Sequence, residues 1–334
     1  MSFRLPALAL LLSSALPALA DEINVYSHRQ PELIQPLVDA FTAETGITVN
    51  VAFIDKGMAE RLVAEGDRSP ADVVLTVDIA RLMQIVEAGV TQPVTSAVLE
   101  ADIPATLRDP ENRWFGLTTR ARIVYAAKDR VQPGDVTTYE DLADPKWKGR
   151  ICTRSGLSDY NVALTSAMIA HHGEDYTKGW LEGLKANLAR KPEGGDRDQV
   201  KAIAAGLCDI AIGNTYYIGQ MLADPEQAPA AEAVNVLFPV FEGDGTHVNI
   251  SGMAMTKAAP NREAALKFME WLTTDAAQKI YAETNNEYPV KPGVERSALV
   301  ASWGDFTPDS KTLAEIASLR PAALKLVETV DFDG

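Results

Sequence analysis

Along this chain, short β-rich runs alternate with stretches whose apolar residues recur at helical spacing. Residues 22–26 (EINVY) read as a first strand, and 47–53 (ITVNVAF) alternate apolar and polar as a half-buried strand does. Between them, 31–45 puts Leu33, Leu37, Val38 and Phe41 on one helical face and stops at Gly46. Pro36 either kinks this helix or marks its true first turn. A buried strand at 71–76 (ADVVLT) lies between helices at 61–65 and 80–88, and a strand at 150–153 precedes a long helical region, 160–190, broken at Gly173. A helix at 199–205, strands at 208–212 and 249–256, and an amphipathic helix at 261–273 complete the pattern. This alternation predicts an α/β fold with mainly parallel sheets. The β-rich run 114–127 is the expected first crossing between two lobes, and 234–240 the expected return. A boundary crossed twice makes a hinge, and a hinge between two α/β lobes makes a cleft.

The first twenty residues carry one early cation, Arg4, then an apolar run ending in Ala18-Leu19-Ala20. That is the pattern of a secretory signal peptide cleaved after Ala20, too short and wrongly flanked for a membrane anchor. No cysteine near that point offers a lipid anchor, so the expected location is the periplasm or the medium, with no stable membrane insertion. Cleavage leaves 314 of the 334 residues, more than one core usually holds, which again points to two lobes. Losing Arg4 takes the formal charge from −15 to −16. So acidic a chain is a poor partner for nucleic acid or anionic membranes. Its two cysteines, Cys152 and Cys208, read as a disulfide in an exported protein. Two buried thiols, or a two-cysteine metal site, are the alternatives.

Enzyme motifs are absent: there is no GxSxG, no P-loop and no HExxH. Of the four histidines, His171 and His172 sit beside Gly173 at a helix end, where a solvated, dipole-stabilising role is expected and metal ligation is the alternative. His247 lies in a turn before a strand, either at a hinge or without special role. The tyrosines carry more. Tyr160 in SGLSDYNVAL and the adjacent Tyr216 and Tyr217 in GNTYYIG share one layout, a strand, small polar residues, then tyrosine entering a helix. Asp159 or Ser158 could cap the first helix, and Asn214 or Thr215 the second. Neighbours at a helix start diverge by only about 100°, so two long phenols can converge in front of the turn. Three phenolates would neutralise a trivalent ion, and their oxygens suit a hard one, with iron(III) the natural candidate. Stacking on an organic ligand or ordinary packing is the alternative.

With these motifs in view, the chain resembles the periplasmic ferric-ion-binding proteins, the receptors of iron(III) ABC importers. The likeness runs over almost the whole mature length, through INVYSHRQPELI, SPADVVLTVDIARL, WFGLTTRARIVYAAKDRV, DLADPKWKGRICTRSG, NLARKPEGGDRDQVKAI, IGNTYYIG and THVNISGMAMTKAAPNREAALKFMEWL. It implies a type II periplasmic binding protein fold, two α/β lobes joined by a hinge around a ligand cleft. The expected lobes are 21–118 with about 246–290, and about 119–245 with 291–334, the second carrying the tyrosines. By the same resemblance, iron(III) is held by Tyr160, Tyr216 and Tyr217 and passed to an inner-membrane ABC permease by a monomeric receptor. Such proteins often add a synergistic carbonate or bicarbonate; Arg120 in LTTRAR is the leading candidate to hold it, because its fork suits a planar oxyanion.

The departures lie in the first lobe. Many members place a ligating histidine four residues after the tyrosine matching Tyr26, where this chain has Gln30. Some use a glutamate just after the strand matching ADVVLT, where this chain has Val77. A close subgroup reads Tyr-Ser-Tyr-Arg-Gln, with tyrosine at the place of His28. His28 is therefore a candidate to ligate the metal, to hydrogen-bond the anion, or to stay behind the ligands. Arg29 and Gln30 are candidate anion or closure contacts. Cys152 and Cys208 fall in matching places in that subgroup, which supports their pairing. Two other readings are a receptor for a small organic solute such as a polyamine or thiamine, with the tyrosines as stacking walls, and a secreted cleft hydrolase.

Overall fold

A computed structural model describes residues 22–334. The expected signal peptide and its cleavage after Ala20 lie outside the described residues. Strands β1 (Glu22–Ser27), β2 (Thr48–Phe53) and β3 (Val73–Thr76) pair in parallel, with β1 in the middle. The crossover between β1 and β2 is the helix Pro31–Thr45, whose buried face is Ile34, Leu37, Val38 and Phe41. Proline opens it, where the missing N–H would lack a partner in any case. Gly46 closes it in the left-handed region (φ 74°), its N–H returning to the Thr42 carbonyl. Pro36 thus lies inside the helix, in its second turn.

The strand β4 (Phe115–Ala127) organises the rest. Its first half pairs antiparallel with β8 (Val248–Met255), which in turn pairs with β3. Its second half pairs antiparallel with β6 (Ile210–Asn214) and β7 (Val234–Leu237). The partner changes between Ala121, opposite Val248, and Arg122, opposite Asn214. The short β5 (Ile151–Cys152) lies parallel to β6, and β9 (Tyr288–Pro289) pairs with Thr118 and Thr119. The path through the sheets is β2-β1-β3-β8-β4-β6-β5.

Two expectations need correcting. The sheets are mixed, not mainly parallel, because β4 and β8 run antiparallel to one another and to their other partners. The segment 234–240 does not carry the chain back: β7 stays beside the second half of β4, and β8 makes the return. A run of apolar residues shows that a strand is buried but not which neighbour it pairs with.

Apolar side chains gather on both sides of the point where β4 changes partners. One cluster joins Ile123, Tyr125, Val162, Leu181 and Ile210 with Ile316 and Phe332 from the C-terminal segment. The sheet at the other end is covered on both faces, by Phe41, Phe115, Phe268 and Tyr281 on one and by Met58, Leu82, Trp114 and Leu313 on the other. Cys152, at the end of β5, and Cys208, just before β6, form a disulfide with Cα atoms 5.8 Å apart. The paired residues are buried, and the bond ties the two neighbouring strands.

Candidate metal centre

Tyr216 and Tyr217 open the helix Tyr216–Leu222 directly after β6, and Tyr160 is the second residue of the helix Asp159–Ala186 after β5. Both glycines of GNTYYIG are closely approached by neighbouring side chains. A Cβ on Gly213 would stand 2.1 Å from the Tyr125 ring, and one on Gly219 would meet the Asn286 side chain at 2.3 Å. The backbone on either side of the tyrosines is therefore closely packed, against Tyr125 and Asn286. The Tyr216 and Tyr217 ring centroids are 4.3 Å apart, and the Tyr216 hydroxyl donates to the Tyr160 hydroxyl at 3.1 Å. Tyr216 is buried, whereas Tyr160 and Tyr217 keep part of their surface open. Burial pushes the Tyr216 phenol well above its ordinary value, as do Tyr160 and Tyr217, while Arg120 pulls it down. Tyr217 is pushed up to about 12, by burial first and then by Tyr160 and Asp196. Without a cation these two phenols hold their protons at neutral pH; a hard trivalent ion would displace them.

The helix starts are not capped by the expected side chains. Neither Ser158 nor Thr215, at the two N-cap positions, makes a side-chain capping bond. Asn214 is engaged elsewhere, and Asp159 accepts from Arg320 at 2.8 Å and lies 3.5 Å from Arg81. Arg122 takes over the positioning. Its guanidinium pairs with Asp196 at 2.7 Å and donates to Asn214 Oδ1 at 3.0 Å and Asn161 Oδ1 at 2.6 Å. One buried cation thus grips a residue next to Tyr160 and a residue two before Tyr216. Asp196 also accepts the Asn214 backbone N–H at 2.9 Å and pairs with Arg154 at 3.3 Å. Arg154 and Arg122 lie 5.3 and 5.8 Å from the Tyr160 ring centroid, within reach of a cation–π contact.

Arg120 is 1% exposed and donates to Ser251 Oγ at 3.0 Å. Its Nε and Nη2 have no protein partner, an edge of the guanidinium that fits a planar oxyanion. Arg29 is committed differently: it pairs with Glu287 at 3.1 Å and shares Ser251 with Arg120. Burial alone would push the Glu287 carboxyl up, but Arg29 and Arg120 hold it below the usual range. Gln30 is exposed at the start of its helix and makes no capping bond. His28 is buried, its Nδ1 is unpartnered, and burial and then Arg81 lower it to about 4, leaving the ring neutral. It lines a cleft of about 260 Å³ with Asp55, Met58, Arg81 and Asp159, the residue before Tyr160. No hydrogen bond joins His28 to the three tyrosines among the described residues.

The profile of the bacterial extracellular solute-binding proteins matches residues 27–279. The chain belongs to this family. It is 45% identical to iron uptake protein A1 of Synechocystis sp. over 93% of this chain and 87% of that one. A crystal structure of ferric iron-binding protein A from Mannheimia haemolytica, in an open conformation, superposes with a TM-score of 0.90 at 55% identity, covering 94% of this chain and all of that one. A Trichodesmium protein in complex with iron and citrate ligands gives 0.89 at 45% identity over 93% and 99% of the two chains. These neighbours show the type II periplasmic binding protein fold, two α/β lobes hinged around a cleft.

As a solute-binding protein the chain binds and delivers instead of catalysing, which removes the hydrolase reading. Among the described residues no helix is long and apolar enough to cross a membrane. The reading from sequence missed Arg122, Asp196, Asn161, Arg154 and Glu287. One signal was present: Arg120 and Arg122 are two apart on a strand and so share a face. Their different duties follow from the change of partner that falls between them. The histidine pair also corrects an expectation. His171 lies 2.9 Å from Asp309 and stacks on Phe241, and His172 lies 2.6 Å from Glu140, so neither is simply solvated beside a helix end. His247 is buried at the crossing, where its carbonyl accepts the Arg122 backbone N–H. Burial, then Arg122, lowers it to about 3.

Proposed function

We propose that this solute-binding protein captures iron(III) through the phenolates of Tyr160, Tyr216 and Tyr217 and delivers it to an inner-membrane ABC permease. The observation that carries this reading is the convergence of the three tyrosines, with the Tyr216 and Tyr160 hydroxyls 3.1 Å apart in front of a buried Arg122–Asp196 pair. The names of the similar proteins, iron uptake and ferric iron-binding, agree with it. Arg120 supplies the free donors for a carbonate, bicarbonate or carboxylate anion that completes the ion's shell. His28, neutral and with a free nitrogen, stands on the facing wall as a further ligand or anion contact. The lobes are 21–118 with about 246–290, and about 119–245 with 291–334; they hinge where β4 changes partners. The receptor works as a monomer in the periplasm after cleavage behind Ala20.

A polyamine or thiamine is a cation that brings no means of displacing phenolic protons. The arginines flanking the tyrosines oppose it, and Asp196 is already paired with two of them. Iron(III), by contrast, creates the negative charge it needs by deprotonating its ligands. The test is titration of metal-free protein with an iron(III) chelate, beside a thermal-shift panel of polyamines and thiamine. A visible phenolate-to-iron charge-transfer band is expected, and Tyr216→Phe combined with Tyr217→Phe should abolish it. A double variant that keeps both band and affinity would overturn the assignment.

A further inference from the structure

Away from the tyrosines, His171, Asp244 and Asp309 bring one donor atom each to within 4.8 Å of one another. They come from three segments: the helix Asp159–Ala186 just before its break at Gly173, the turn leading into β8, and the stretch after β9 that precedes the helix Leu313–Ser318. The last two are stitched by backbone bonds, Thr246 N–H to the Thr307 carbonyl and Asp309 N–H to the Thr246 carbonyl, both 2.8 Å. A Cβ on Gly245 would stand 2.3 Å from the Pro308 carbonyl oxygen, so only glycine permits this approach.

The second observation is an orphaned acceptor. The Asp309 side chain is 1% exposed, its Oδ1 meets His171 Nε2 at 2.9 Å, and its Oδ2 has no partner. A buried carboxylate oxygen without a donor is costly unless a cation or proton completes it. Among the described residues no lysine or arginine pairs with Asp309 or with Asp244; the one ion-pair partner of Asp309 is His171. The donors are also held in place. His171 stacks on Phe241 with centroids 4.2 Å apart, and Asp244 accepts the backbone N–H groups of Gly245 at 2.7 Å and Ser310 at 3.0 Å. Fixed outer hydrogen bonds of this kind orient metal ligands.

We propose that His171, Asp244 and Asp309 form a second cation site for a divalent first-row transition ion, with zinc(II) as its probe. One imidazole nitrogen and two carboxylates suit such an ion; calcium would want six to eight oxygens. In a tetrahedral zinc site donors stand roughly 3.4 Å apart, from bonds of about 2.0–2.1 Å, so the cluster needs only a small adjustment. The His171–Asp309 hydrogen bond opens, and both groups turn lone pairs to the ion. Its structural effect is to staple the turn before β8 to the C-terminal segment.

Calorimetric titration with zinc(II) at neutral pH tests this in a chain carrying Tyr160→Phe, Tyr216→Phe and Tyr217→Phe, where the phenols cannot contribute. One zinc per chain is expected. Asp309→Asn and His171→Gln, checked for fold by circular dichroism, should each weaken it at least tenfold, while His172→Gln should leave it unchanged. Cobalt(II) bound at the unmutated site and read by its d–d absorption gives the same answer, with one equivalent displaced by zinc. A tyrosine-free chain that takes up neither ion, or site variants that bind zinc as tightly as their parent, would overturn the proposal.

Discussion

Tyr217→Phe deletes one candidate ligand oxygen while sparing the ring that packs 4.3 Å from Tyr216. In the metal-free protein Tyr217 is pushed up to about 12, chiefly by burial. From there to pH 7 is five units, so holding the phenolate without a cation costs about 7 kcal/mol at about 1.36 kcal/mol per unit. Iron(III) has to supply that difference, and the proton must leave as it does. Protons therefore compete with the metal, and affinity falls as pH falls, by about tenfold per unit for every phenol that must be deprotonated. The variant should release one proton fewer than wild type on binding, and its affinity should lose one such factor from its slope between pH 6 and 8. Proton release is read with an indicator in weak buffer as iron(III) nitrilotriacetate is added to each protein. The chelator's own protons cancel in the difference. Equal proton release by the two proteins, with an unaltered charge-transfer band, would refute Tyr217 as a phenolate ligand.

Replacing Cys152 and Cys208 by serine opens a loop of 56 residues and should cost about 4 kcal/mol in the chain-entropy model, read as a lower urea midpoint. Asp196→Ala strands Arg122 in a buried site and should cost about 3–5 kcal/mol. Its iron affinity should fall too, since Arg122 grips both tyrosine segments; an affinity unchanged in folded variant would show that the grip is not needed. Asp159→Asn removes the charge that faces Arg81 across the cleft and Arg320 beside it, partly exposed pairs worth only about 0–1 kcal/mol each, and Arg320→Gln, which leaves the Arg81 contact in place, is the control. Chelator-competition stopped flow should show iron leaving up to about fivefold faster, a ratio that shrinks in high salt.

How much of this was legible in the chain differs from part to part. The helix Pro31–Thr45 was plain because its period, its opening proline and its closing glycine all agree. The tyrosines were visible as adjacent phenols at a strand-to-helix turn, since such turns gather beyond the ends of strands. Arg122 and Asp196 were not, because their meeting joins positions 74 apart and carries no local signature. Glu287 was missed for the same reason; its partner Arg29 lies 258 residues away.

By itself the sequence determined the period of each element and the placing of Tyr160, Tyr216 and Tyr217 at strand-to-helix turns, since both are local properties of the chain. It also carried the pairing of Cys152 with Cys208 as an expectation. Only the tertiary structure decided strand partners and direction, the point at which β4 passes from one sheet to the other, and which of two arginines on one face holds the tyrosines while the other keeps free donors. Those outcomes depend on which distant backbone completes each hydrogen-bond ladder. A run of valines and isoleucines needs such a partner but does not name it.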